Sequence, residues 1–175
     1  MDSYIAFLRG INVSGQKKIL MKDLIELFQS VGFQNVRSYI QSGNVVFESD
    51  ESSGLDGKIS EVIEEKYGFY VPVLVLSTFQ LETIINNCPF SEEKKEKSYF
   101  ALLFSSPSPT EIKILDEISM PNEEFRITPN CVYLHYALGA GKAKMGNNFF
   151  EKKLKVTATS RNYRTMKKIL EMAIS

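Results

Sequence analysis

Apolar positions along this chain alternate between a strand rhythm and a helix rhythm. In "YIAFLR" (4–9) they occupy both alternating faces, as in a central strand, and a long polar loop follows. Leu20, Leu24, Leu27, Phe28 and Val31 then fall at helical spacing, with Gly32 as a left-handed stop and Phe33 set to pack back on the last turn. "VRSYIQ" and "NVVFES" predict two strands joined by a tight turn at Ser42-Gly43. Leu55, Ile59, Val62, Ile63 and Tyr67 mark a second helix stopped by Gly68. "VPVLVL" (71–76) is a fourth strand, placed at an edge by Pro72. This order is the ferredoxin-like βαββαβ arrangement. Ser77 and Gln80 have capping-box spacing for one helix more.

The second half repeats the plan. "YFALLF" (99–104) is another central strand, and Ser108-Pro109-Thr110-Glu111 opens a helix with a cap, a proline at its first position and a glutamate at its third. "EFRIT" and "CVYLHYA" flank Pro129-Asn130 as a hairpin, Asn147 or Asn148 starts a short helix through Leu154, and "KVTA" (155–158) is the expected fourth strand. A last helix is expected from about Ser160, capped by Thr159 or Ser160. The expected fold is therefore α+β, a tandem duplication of a ferredoxin-like βαββαβ unit, each followed by an extra helix. The halves are expected at 1–90 and 98–175, joined by a solvated linker, "SEEKKEK" (91–97).

Composition narrows the class. With 43% hydrophobic residues in 175, the chain can bury an ordinary core. Its apolar runs are too short to cross a bilayer and no signal region opens it, so we expect a cytoplasmic protein with no membrane partner. Two cysteines and one histidine make neither a disulfide framework nor a structural metal site. No metal or cofactor is expected.

The net charge of zero changes the picture once it is divided. Residues 138–175 hold nine cations and two anions, whereas 50–98 hold five cations and ten anions. A basic tail of this kind suits phosphate or nucleic acid, or an acidic surface of the same molecule. In the predicted last helix, Arg161 and Arg164 fall in the first turn, where the positive end of the dipole disfavours them. Lys17, Lys18 and Lys22 crowd the start of the first helix in the same way. Arginine's planar fork takes two oxygens at once, so either an anionic ligand or internal bonds to carboxylates and carbonyls would explain the pair.

Topology indicates where a ligand would sit. In a βαββαβ unit the loop after the first strand and the hairpin after the second lie at one end. That end holds the loop "RGINVSGQKKI" (9–19) and the hairpin "QSGN" (41–44). Other signals are weaker. "GAGKAKMG" (139–146) lacks the spacing of a nucleotide triphosphate loop and suits a surface loop, His135 suits a structural role, and neither cysteine has a local activating partner.

"YIAFLRGINVSGQKKILMKDL", "VRSYIQSGNVVF" and "TATSRNYRTMKKILEMA" together resemble the bacterial family catalogued as domain of unknown function 1697. The resemblance covers nearly the whole chain, implies a duplicated ferredoxin-like fold and implies no activity. Its motifs point to Arg9, Gly10, Asn12, Gln41, Ser42, Gly43, Asn44, Arg161, Asn162 and Arg164. Two positions depart from the pattern: Ser14 where glycine is usual, and Tyr163 where tryptophan is usual. Ser14 makes the loop less tolerant of positive φ.

The leading expectation is a protein that binds a phosphate-bearing ligand, nucleic acid or a nucleotide. Arg9, Lys17, Lys18, Arg161 and Arg164 would supply charge, while Asn12, Gln41, Ser42, Asn44 and Asn162 would orient the ligand. Arg161→Ala is then expected to abolish binding and to leave stability unchanged or improved. The alternatives are an enzyme acting on a small anionic substrate, with the arginines stabilising developing charge, and a protein-interaction module.

Overall fold

The structure, a computed structural model, describes all 175 residues. It is a mixed helix-and-sheet fold whose chain divides into two compact units. One is Met1–Glu82 with Lys168–Ser175, the other Thr83–Lys167.

In the first unit β1 (Asp2–Leu8), α1 (Met21–Ser30), β2 (Gln34–Ser38), β3 (Asn44–Ser49), α2 (Leu55–Tyr67) and β4 (Val73–Ser77) follow in the predicted order. The strands form an antiparallel sheet, β2-β3-β1-β4, with β4, which Pro72 immediately precedes, at an edge as expected. One sheet face supplies Tyr4, Ala6 and Leu8 to a core shared with Leu24, Phe28, Phe47 and Ile59. Gly32 turns α1 off at φ +97°, and Phe33 folds back so that its N–H donates to Phe28 O and its ring meets the Phe28 ring at 5.8 Å. The link between β2 and β3 is longer than a two-residue turn. Residues 39–43 form it, because Ile40 and Gly43 both take positive φ and Tyr39 N–H already donates to Asn44 O. The unit is completed by the end of the last helix: Ser3 Oγ donates to Ala173 O at 3.1 Å and Arg37 Nη2 to Met172 O at 2.6 Å.

After β4 comes α3 (Thr78–Asn86), opened by a reciprocal capping box in which Ser77 N–H donates to Gln80 Oε1 and Gln80 N–H to Ser77 Oγ. The expected linker contains a helical turn, α4 (Glu92–Lys95), capped by Ser91.

The second unit contains β5 (Ser98–Leu103), α5 (Pro109–Asp116), β6 (Glu123–Ile127), β7 (Cys131–Tyr136), a 3-10 turn (Ala140–Lys142), α6 (Asn147–Leu154) and β8 (Ala158–Asn162), and it ends within α7 (Tyr163–Ile174). Its sheet, β6-β7-β5-β8, has the same antiparallel order as the first. Two expectations are corrected here. The fourth strand is 158–162, not 155–158, because Lys155 closes α6 in the left-handed conformation at φ +55°. The last helix starts at Tyr163, and Asn162 rather than Thr159 or Ser160 caps it, its Oδ1 accepting from Thr165 N–H at 2.8 Å. Ser160 cannot cap, since its hydroxyl donates to Asn147 Oδ1 from within the strand.

Candidate functional site

The loop after β1 and the link before β3 meet, and Asn12 ties them together. Its Nδ2 donates to Gln41 O at 2.8 Å and to Ile19 O at 3.0 Å, and its Oδ1 accepts from Ile19 N–H at 2.9 Å. Asn12 sits at φ +55°, a conformation in which asparagine is among the least strained side-chain-bearing residues. Ser14 adopts the left-handed region too, at φ +51°, although it carries a Cβ. Leu8 N–H donates to Gly43 O, Arg9 N–H to Pro72 O, and Lys17 Nζ to Tyr70 O at 2.6 Å. Asn44 is buried, with Nδ2 donating to Tyr39 O and Ser42 Oγ. The fold thus gives Asn12, Lys17, Ser42 and Asn44 architectural bonds, while Gly10 supplies a φ of +76° and Lys18 is exposed.

In the second unit Arg161 lies in β8 opposite Phe100, not in the first turn of a helix. It is buried, and its Nη1 donates to Thr159 Oγ1 and to Ser160 O, both at 2.8 Å. Burial lowers the guanidinium to about 10, which leaves it charged at neutral pH. A buried, hydrogen-bonded arginine holds structure, so the expectation that its loss is harmless to stability is replaced. Arg161→Ala is expected to lower stability by about 1–2 kcal/mol, and a urea midpoint equal to that of the parent would refute this.

Asn162 and Arg164, on either side of the buried Tyr163, open outward. Both are exposed, and they line a cleft of 330 Å³ with Lys97, Tyr99, Tyr136 and Gly139. The ends of β5, β7 and β8 place them: Tyr99 pairs with Leu134 on one side and Asn162 on the other. The Tyr99 and Tyr136 rings lie 5.7 Å apart, and Tyr136 is fixed by its hydroxyl, which donates to Met145 O at 2.7 Å. Burial, together with the nearby Glu123 charge, pushes that phenol well above its ordinary range, so it stays neutral. The basic loop 139–146 borders the cleft and is held by Glu123, whose carboxylate accepts from Lys144 and Met145 N–H. Lys97, Tyr99 and Tyr136 were absent from the sequence-derived set. Strand register alone aligns Tyr99 with Asn162, and no local motif announces it.

A larger cleft, 480 Å³, lies along β6 and includes Lys94, Glu124, Arg126 and Phe90. There the Lys94 hydrogen bond holds the Glu124 carboxyl below its ordinary value. His135 Nδ1 lies 3.5 Å from Glu124 Oε2 and its ring meets Phe90. Cys88 and Cys131 are both free and buried. No helix is long and apolar enough to cross a membrane.

Among solved structures, the chain is similar to "conserved bacterial protein SP0830 from Streptococcus pneumoniae". The identity is 22%, with 100% of this chain and 99% of that chain covered at a TM-score of 0.76, a likeness of fold. None of the curated proteins compared matches it. Residues 1–133, which include the motif loop, the β2–β3 link and, of the cleft, only its lining residues 96–99, match the family described as protein of unknown function (DUF1697), and the chain belongs to that family.

Proposed function

We propose that the second unit binds a small phosphate-bearing ligand with an aromatic group, a nucleotide or the terminal nucleotide of a nucleic acid. One observation carries this: a single cleft is lined by the exposed cations Arg164 and Lys97 together with the half-buried Tyr99. Neither cation has an ion-pair partner within the protein, so neither must give up a carboxylate to take a phosphate. Arginine offers a phosphate two parallel N–H donors, and an aromatic ring offers a base a stacking face worth about 1–3 kcal/mol. The Asn162 oxygen is committed to the α7 cap, which leaves its amide donors to orient the ligand. Of the other expected contacts, Arg161 adds a buried positive charge behind β8. Arg9, Gly10, Lys17, Lys18, Gln41 and Gly43 belong to the first unit, where the cations add a general attraction for anions. The only carboxylate lining the cleft is Glu96, so its groups favour binding over turnover.

Two further features fit the same picture. The identical order of elements and strands in both units supports ferredoxin-like repeats, 1–90 and 98–175, that arose by duplication. Two reduced, buried cysteines fit a cytoplasmic setting.

The test is thermal melting with adenosine and uridine monophosphates, ribose 5-phosphate, short single-stranded RNA and DNA, and inorganic phosphate at matched ionic strength. A mononucleotide at a hundred times its Kd should raise the midpoint by roughly 5–10 °C. Arg164→Ala should weaken that binding at least tenfold with no change in the unliganded midpoint. If inorganic phosphate shifts the midpoint as far as a nucleotide, or if no compound shifts it, the assignment fails.

A further inference from the structure

We propose that the end of the first unit built by the loop 9–20, the link 39–43 and the segment 69–72 docks an acidic, apolar-anchored segment of a partner protein. Four large apolar side chains are displayed there: Leu20 is 69% exposed, Val13 58%, Tyr70 58% and Ile40 49%. Hydrogen bonds at their immediate neighbours hold them to one end, Asn12 to Gln41 O and to Ile19, and Lys17 Nζ to Tyr70 O. Isolated exposed apolar residues are ordinary, but a group of them on one end is the mark of an interaction site.

Two of the four stand where the local backbone favours another residue. Leu20 is the N-cap of α1 and makes no side-chain cap, at a position that Ser, Asp or Asn would stabilise. Ile40 holds φ at +49°, the left-handed region in which a β-branched residue is an outlier and Asn or Gly is at ease. Neither side chain recovers the loss by burial. What the fold obtains from leucine and isoleucine at these positions is the display of an apolar surface.

The charge around that surface selects the occupant. Residues 9–22 hold Arg9, Lys17, Lys18 and Lys22 and no carboxylate, and residues 39–44 and 69–72 hold no charge at all. Lys18 and Lys22 are exposed, and Lys22 meets Glu26 only at 4.0 Å. Three of the four displayed side chains, Val13, Leu20 and Ile40, are aliphatic; they gain nothing from a phosphate backbone and do not stack bases as Tyr70 could, so a polypeptide with apolar anchors and acidic flanks is the complementary surface. This surface shares no residue with the cleft in the second unit.

The probe is a synthetic 16-residue helical peptide with leucines at i, i+3, i+4 and i+7 spacing and glutamates elsewhere. One control carries lysine for each glutamate, and another has the sequence scrambled. Binding to the isotope-labelled full chain is followed by amide chemical shifts. The acidic peptide should perturb residues 12–20, 39–43 and 69–71. The double variant Leu20→Ser with Ile40→Asn should weaken it at least tenfold while melting no lower than the parent, because both changes suit the local backbone. Equal binding of either control, perturbation elsewhere, no binding at millimolar peptide, or a variant that melts below the parent would overturn the inference. So would a parent dimer in sedimentation that the variant loses, or a short oligonucleotide that perturbs these same residues. Those last outcomes assign the surface to a second copy or to nucleic acid.

Discussion

Gly43→Ala is expected to destabilise the protein by about 3 kcal/mol or more. Gly43 holds φ at +89°, and a Cβ added there would lie 2.7 Å from Leu8 Cβ and 3.0 Å from Ile11 Cδ1. Both neighbours are fully or almost fully buried, Leu8 in β1 and Ile11 in the motif loop, so neither can swing aside. Left-handed strain and overpacking therefore add rather than trade. Gly43 O also accepts from Leu8 N–H at 2.8 Å, so moving the link away to relieve the clash loses that bond as well. The loss corresponds to roughly 6–12 °C in melting midpoint for a chain of this length. A denaturant titration that finds less than about 1 kcal/mol would mean that the link and the loop are not pressed together as described. Gly10→Ala, with open space around the added Cβ, isolates the backbone part of the effect and should be the milder change.

Asn12→Ala should come close behind, at about 3 kcal/mol, because one side chain carries three hydrogen bonds, two of them part-buried. The Ile19 N–H is left without its acceptor beside a buried side chain, and the alanine must hold a φ that asparagine tolerates better. Asn12→Asp separates the parts. The aspartate still accepts from Ile19 N–H but has no hydrogen for Gln41 O or Ile19 O, so it should recover only part of the loss. Hydrogen exchange at the Ile19 amide follows the same bond directly. If that amide is as protected in the alanine variant as in the parent, Asn12 is not the tie between the loop and the β2–β3 link.

Both effects recast the motif residues. Read along the chain, "RGINVSG" and "SYIQSGN" resemble ligand loops because glycine, asparagine, serine and glutamine are the side chains that orient ligands. They are also the side chains that satisfy backbone groups in tight loops, and composition cannot separate the two uses. The hydrogen bonds of Asn12 and Asn44 assign these two residues to the second.

The elements were legible wherever a local signal acts within one turn or one strand. Gly32, Gly68, Ser77 with Gln80, and Ser108 with Pro109 stop and start helices where the sequence says they should, because caps depend on residues three or four apart. The edge position of β4 follows from one proline for an equally local reason. The reading fails at 155–164, where local signals compete. Thr159, Ser160 and Asn162 are all competent caps, and the choice falls on Asn162 because Ser160 is engaged by Asn147 and residues 158–162 are claimed by pairing with β5. Pairing between strands some sixty residues apart is invisible to periodicity, and it turns Arg161 inward as a buried strand residue while leaving Arg164 exposed on the helix. The same pairing sets Tyr99 beside Asn162 and so builds the cleft. By itself, then, the sequence determined the order of elements, their stops and the presence of uncommitted cations, all functions of near neighbours. Only the tertiary structure decided which of those cations are buried, which polar motif residues spend their bonds on the fold, and which apolar ones are left on display, because each depends on what distant strands and loops bring alongside.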